Sequence, residues 1–173
     1  AALVDPRTIT GPSTAAPVTD IAPIAGTAKP ALPVTLTDAT GASVTVSDAS
    51  RVLALDIYGT LAETVVGLGL GDRLVGRGSS NTLQVMKDLP VVTRNGHELN
   101  GEAVLALRPT LVLTDTTIGP REVQDQLRSS GVTVVFFDPK RSIDAIGPQI
   151  GAVAHALGLD ALGEKLAKRT ADE

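Results

Sequence analysis

The sequence contains no cysteine and no tryptophan, and only two histidines, His97 and His155, among its 173 residues. Without cysteine, a disulfide framework, a thiolate metal site, a cysteine nucleophile and a c-type haem attachment are all excluded. Two histidines give a zinc centre built on two or three imidazoles little to draw on. The three aromatics, Tyr58, Phe136 and Phe137, are too few for a base-stacking platform. Fifteen basic residues face nineteen acidic ones, so the net charge is −4 and the basic surplus of a general nucleic-acid binder is missing. No uninterrupted run of about 18 apolar residues occurs, so no membrane-spanning helix is expected. What is there, 43% hydrophobic and 20% charged residues, is the composition of a globular domain, at a length that suits one domain plus a tail.

Residues 1–33 differ from the rest. They hold six of the eleven prolines, and alanine and threonine fill most of the gaps. So little apolar bulk cannot offset the entropy of ordering, and the pattern predicts a disordered, partly extended linker. There is no initiator methionine and no basic-then-apolar leader, so any signal segment is expected to lie outside this sequence. A Pro/Thr/Ala-rich stalk suits an exported domain held off a surface; a plain terminal overhang fits equally well.

Periodicity organises the remainder. Residues 34–38 and 43–46 alternate with period two around Thr40 and Gly41, which predicts a β-hairpin. Short apolar runs at 51–56, 110–114 and 132–137 predict buried strands, with a brief one at 74–76. Helical spacing appears at 60–70, from Asn100 to Leu107, from Pro120 to Ser130, and at 142–158, with a further helix from Asp160 onward. Strands alternating with helices predict an α/β fold with a mainly parallel sheet flanked by helices. The boundaries expected are a linker over 1–33, a lobe over 34–160 and the start of a further helix over 161–173. In such sheets a ligand sits beyond the carboxyl ends of the strands. Those ends carry Asp56, Tyr58, Arg77, Asp115 and Asp138, and the polar loop 93–98 reaches the same rim.

Several motifs offer themselves there. Gly67, Gly69 and Gly71 look like a nucleotide loop, but they end a helix and do not follow a strand. Asp56, Asp115 and Lys140 each follow a strand, as in a Mg²⁺-dependent receiver domain, yet only one acid follows the first strand, so carboxylates capping nearby loops are the expected reading. No nucleophile elbow, phosphate-binding Walker loop or paired catalytic carboxylates occur. His155 lies among alanines and reads as a partly buried helix residue. His97, beside Gly96 in a polar loop, reads either as an exposed loop residue or as a neutral metal ligand.

Three segments together resemble the amino-terminal lobe of substrate-binding proteins that serve ABC importers of iron complexes and cobalamin. Leu68-Gly69-Leu70-Gly71-Asp72-Arg73-Leu74-Val75-Gly76 is similar to that family's first helix-to-strand turn. Asn100, Glu102, Val104, Leu107, Pro109, Leu111 and Val112 follow its N-x-E-x-hydrophobic-x-x-L-x-P-D-L-V spacing, with Thr110 in place of the Asp. Leu127, Gly131 and Val134 resemble its L-x-x-x-G-I-x-V segment. Within the family, Asn95-Gly96-His97-Glu98-Leu99-Asn100 looks most like the haem-binding members.

This resemblance implies a single lobe of a bilobal, non-enzymatic binding protein. Haem would be the transported ligand, with His97 as one axial ligand of the iron and a tyrosine of the absent carboxyl-terminal lobe as the other. It further implies Arg77 and Arg94 as cations for the haem propionates, Tyr58 and Asn95 near the porphyrin, and Glu102 as the carboxylate that docks on the permease. A lipid anchor at the outer face of the cell membrane, or a periplasmic location, goes with the family, and the open face of a lone lobe suggests a haem-bridged dimer. The rivals are a siderophore or cobamide binder with His97 a bystander, and a small α/β enzyme or receiver-like domain using Asp56 and Asp115.

Overall fold

Residues 5, 8, 10, 11 and 20–173 are described by the computed structural model. The chain forms a hairpin of β1 (Val34–Thr37) and β2 (Ser43–Val46), then β3 (Val52–Leu55) and α1 (Thr60–Gly67). A second small hairpin follows, β4 (Thr93–Arg94) and β5 (Glu98–Leu99), and then α2 (Gly101–Ala106). The chain ends with β6 (Leu111–Thr114), α3 (Arg121–Ser129), β7 (Thr133–Phe136), α4 (Ile143–Ala156) and α5 (Asp160–Asp172). None of the described helices is long and apolar enough to cross a membrane.

Strands β3, β6 and β7 pair in parallel in that order. Successive side chains on a strand point to opposite faces, and here both faces are apolar. Val52, Ala54, Leu111, Leu113, Val135 and Phe137 join the cluster with α1, α4 and α5. Leu53, Leu55, Val112, Val134 and Phe136 join the cluster with Val104, Val123 and Leu127 of α2 and α3. The result is three layers, helix–sheet–helix, with a core on each side of the sheet. The segment expected as a brief strand at 74–76 extends the sheet only by isolated parallel bridges, Val52 to Leu74 and Arg77 to Val91.

Local signals set the helix starts. Asn100 accepts from the Ala103 amide at 3.2 Å and caps α2, and Ser142 Oγ accepts from the Ala145 amide at 3.2 Å and caps α4. Helix α1 begins at Gly59, which has no side chain, so its free amides are met from outside the helix: Asp56 accepts from the Thr60 and Leu61 amides at 3.1 and 3.0 Å.

The linker expected over 1–33 is revised for its carboxyl-terminal half; much of its first part, including 12–19, lies outside the described residues. Residues 20–33 lie against the domain. Asp20 accepts from the Gln84 and Val85 amides, the Ile24 amide donates to Gly67 O, and the Ala31 amide donates to Gly158 O. Ala28 is 2% exposed. Glycine makes this fit: Gly69 has φ +87°, and a Cβ there would stand 2.5 Å from the Ala25 carbonyl oxygen. The packing surface comes from residues far along the chain, which is why the segment's own composition does not announce it.

The β1–β2 hairpin is locked to the sheet edge through Asp38, whose side chain is fully buried. It accepts from the Thr40 amide and hydroxyl, the Ala42 and Phe136 amides, and the Arg128 guanidinium. Burial pushes the carboxyl pKa up, but these bonds outweigh it and hold it below 3.8. Arg121 and Arg128 flank the Phe136 ring at 4.2 and 4.9 Å from its centroid, which fixes the other end of the pair. Replacing Asp38 by Ala leaves Arg128 unpaired and should cost about 3 kcal/mol in urea unfolding at pH 7. Because the folded pKa is depressed, this stabilisation is complete above 3.8 and is lost as pH falls through the folded value, so the gap between the two proteins should narrow in acid. A gap that is the same at all pH values would show that charge is not its source.

Candidate functional site

The carboxyl ends of β3, β6 and β7 meet at one buried ionic group. Asp56 follows β3 and Asp115 follows β6; both side chains have no solvent exposure. Arg141, in the loop after β7, donates from Nη2 to Asp115 Oδ2 at 2.7 Å and to Asp56 Oδ2 at 3.3 Å. Its Nε donates to Thr60 Oγ1 at 3.2 Å and its Nη1 to the Asp138 carbonyl at 2.8 Å. Asp115 also accepts from the amide and hydroxyl of Thr117. Every carboxylate oxygen here is engaged with a donor, and no cluster that could hold a metal ion occurs among the described residues. The receiver-like grouping is therefore corrected. Lys140 is exposed and takes part through its main chain, its amide donating to Asp138 Oδ1 and its carbonyl accepting from Arg141 Nη1, while the neighbouring Arg141 takes the central place. Sequence reasoning missed Arg141; a second base directly after Lys140, five residues past the end of β7, was the available signal.

The rim loops are stitched together above this group. The Ile57 amide donates to Thr117 Oγ1, Ser80 Oγ to the Asp56 carbonyl, and Asn81 Nδ2 to the Gly59 carbonyl. The Ser79 amide donates to Thr93 Oγ1, which joins the 78–81 loop to β4. Thr116 is exposed at the rim, whereas Ile118 is 2% exposed and belongs to the core.

His97 sits in the turn of the β4–β5 hairpin, where the sequence predicts a polar loop. The turn consists of Asn95, Gly96 and His97, with φ +49° at Asn95 and +85° at Gly96. Parallel pairing anchors the hairpin to the rim: the Gly119 amide donates to the His97 carbonyl at 3.0 Å and the Leu99 amide to the Gly119 carbonyl at 2.6 Å. The ring is exposed, and its Nδ1 lies 3.1 Å from the Asn95 carbonyl oxygen. A carbonyl can only accept, so a hydrogen bond here needs the proton on Nδ1. In the neutral ring Nε2 is then a bare lone pair facing solvent, the form a metal takes.

Tyr58 and Arg77 belong to adjoining rim loops. Tyr58 is exposed, with the Arg141 guanidinium 5.5 Å from its ring centroid. Arg77 donates from Nη1 to the Asn81 carbonyl, and its Nε is buried without a hydrogen-bond partner among the described residues. Arg94 and Asn95 lie on the hairpin. Asn95 Nδ2 donates to Glu98 Oε2 at 3.2 Å. Arg94 pairs in register with Glu98, and both line a cleft of about 280 Å³ with Glu102, Leu105 and Val123. The structure thus places His97, Tyr58 and Arg77 on linked rim loops, and Arg94 with Glu102. His155, read as partly buried, is instead exposed and 2.9 Å from Asp160.

A larger apolar cavity of about 630 Å³ opens beside Tyr58 and runs between α1, α4 and α5. Glu63 lies on its wall, with its pKa raised by burial and further by the nearby Asp56 charge.

Residues 57–173 match the family model described as periplasmic binding protein, and the chain belongs to that family. Its members are transport components and not enzymes, and they act outside the cytoplasm. Among solved structures the chain is similar to the haem-binding protein HmuT, with 51% identity and a TM-score of 0.90 over 98% of this chain and 55% of that one. It is also similar to the periplasmic haem-binding protein RhuT from Roseiflexus sp. RS-1, with 34% identity and a TM-score of 0.66 over 72% of this chain and 47% of that one. A periplasmic haem-binding protein from Pseudomonas aeruginosa matches at 31% identity and a TM-score of 0.64, over 71% of this chain and 43% of its own. The chain thus spans about half the length of these proteins, and the match is to one lobe. No curated protein sequence matches it.

Replacing Asp56 by Ala strips α1 of its cap and leaves Arg141 with one carboxylate. The expected loss is about 3 kcal/mol of unfolding free energy, with no dependence of the melting temperature on Mg²⁺ in the unaltered chain. A Mg²⁺-dependent rise would restore the receiver reading.

Proposed function

We propose that this chain is the haem-receiving lobe of an ABC-importer substrate-binding protein, with His97 offering Nε2 to the haem iron. The observation that carries this reading is the exposed His97 ring at the hairpin tip, whose Nδ1 stands 3.1 Å from the Asn95 carbonyl oxygen; with the proton on Nδ1, Nε2 is free to meet a metal. Support comes from the relatives: each of the three structures above is of a haem-binding protein, so haem is favoured over a siderophore or a cobamide.

Axial ligand identity is a main control on haem chemistry, and a neutral imidazole suits either oxidation state of iron. The porphyrin would lie over the rim beside Tyr58. Of the two arginines, Arg77 takes the propionate role, because its loop is bonded to the one that bears Tyr58. Arg94, which shares a cleft with Glu98 and Glu102, does not. A second lobe supplies the other axial ligand and closes the wet face. Glu102 is exposed in the first turn of a capped helix, a rigid mount for a carboxylate that pairs with a permease arginine. The protein is tethered by a lipid anchor outside the cytoplasmic membrane. Where the second lobe is missing, two hairpin tips sandwich one haem through both His97 rings.

Haemin titration of the chain and of His97→Ala, followed at the Soret band, tests the reading. The expected result is a saturable shift whose affinity falls by about tenfold or more in the variant, roughly 1.4 kcal/mol. Identical shifts in both proteins would remove His97 from the site, and no shift in either would remove haem as the ligand of this lobe. Sedimentation of the loaded chain as a strict monomer would sink the sandwich.

A further inference from the structure

Tyr58 is the single tyrosine of the chain, and 58% of it is open to solvent. An aromatic this exposed, in a short strand-to-helix loop, would ordinarily exchange among rotamers. Its ring lies beneath the Arg141 guanidinium, within cation–π range at 5.5 Å. That guanidinium is not free to follow the ring. Its Nη2 edge is bound to Asp56 and Asp115, its Nε to Thr60, and its Nη1 to the Asp138 carbonyl. The two carboxylates behind it are wholly buried, so moving Arg141 away would leave them without their cation.

We infer that Arg141 is a positioning residue for the ligand face: it transfers the rigidity of the buried ionic group to the Tyr58 ring and presets that ring as a flat contact for the porphyrin. This role rests on haem being the ligand. It also assigns a use to the two aspartates that the sequence singled out, since they hold the arginine and never meet the ligand. Ordering an exposed aromatic before binding removes part of the entropy that binding would otherwise cost.

The absence of tryptophan makes the idea directly measurable, because near-ultraviolet circular dichroism of the unliganded chain reports on Tyr58 with only weak phenylalanine signals beside it. In Arg141→Lys, which keeps a charge but loses the planar fork, the tyrosine band should collapse while the far-ultraviolet spectrum is retained. If that variant does not fold, the triple variant Asp56→Asn, Asp115→Asn, Arg141→Met removes the buried charges together and should show the same collapse. Haem dissociation from the chain should be faster by roughly 3- to 10-fold in Arg141→Lys, and unchanged by the same substitution in a Tyr58→Leu background. An unaltered tyrosine band in a folded variant, or equal acceleration in both backgrounds, would overturn the role. Failure of the unaltered chain to take up haem would overturn the functional reading and the ligand part of this one, with the tyrosine band still deciding the clamp.

Discussion

One arginine balances two buried carboxylates at the point where three strands end, and the rim of the domain is arranged around that balance. Burying a carboxylate without a partner is prohibitively costly, and burying two side by side is worse. Arg141 offers donors on three edges of one plane, so a single side chain from the β7–α4 loop joins the ends of β3 and β6. Asp56 in turn supplies the amides of α1 with the acceptors that Gly59 cannot provide. The loops that carry Tyr58 and Thr117 are therefore tied to one charged centre, and the His97 hairpin joins them through main-chain bonds to Gly119.

The sheet divides the rest of the molecule into two nearly independent cores. Alternate residues of the same four-residue strands feed α1, α4 and α5 on one face and α2 and α3 on the other. The functional elements divide in the same way. The apolar cavity beside Tyr58 belongs to the α1–α4–α5 layer, and the Arg94–Glu98–Glu102 cleft belongs to the α2–α3 layer. The two hollows thus draw on different packing surfaces, and the β4–β5 hairpin borders only the second, through Arg94, Glu98 and Leu99.

The sequence is legible where the physics is local. Apolar runs at 52–55, 111–114 and 133–136 are strands, Asn100 and Ser142 cap helices, and the turn at Gly41 closes a hairpin, as their residue types predict. It is not legible where partners are distant. Arg141 meets carboxylates 85 and 26 residues away, and nothing in its immediate neighbourhood signals either. The β4–β5 hairpin escapes notice because two-residue strands are too short to show a period of two. His97 is pointed to by family resemblance, while the contact of its Nδ1 with the Asn95 carbonyl depends on the fold of the turn.

The packed segment 20–33 has a mechanical consequence. It crosses the carboxyl-terminal ends of two helices, meeting α1 at Gly67 and Gly69 and the end of α4 at Gly158. In a parallel α/β layer those ends lie at the pole opposite the strand carboxyl ends. A load applied through the chain ahead of residue 20 would therefore enter the domain at its base and be shared between two helices and the backbone of residues 84 and 85. The β4–β5 hairpin takes none of these bonds, so a pull on residue 20 is met by the helix ends and by residues 84 and 85 and not by the turn that bears His97.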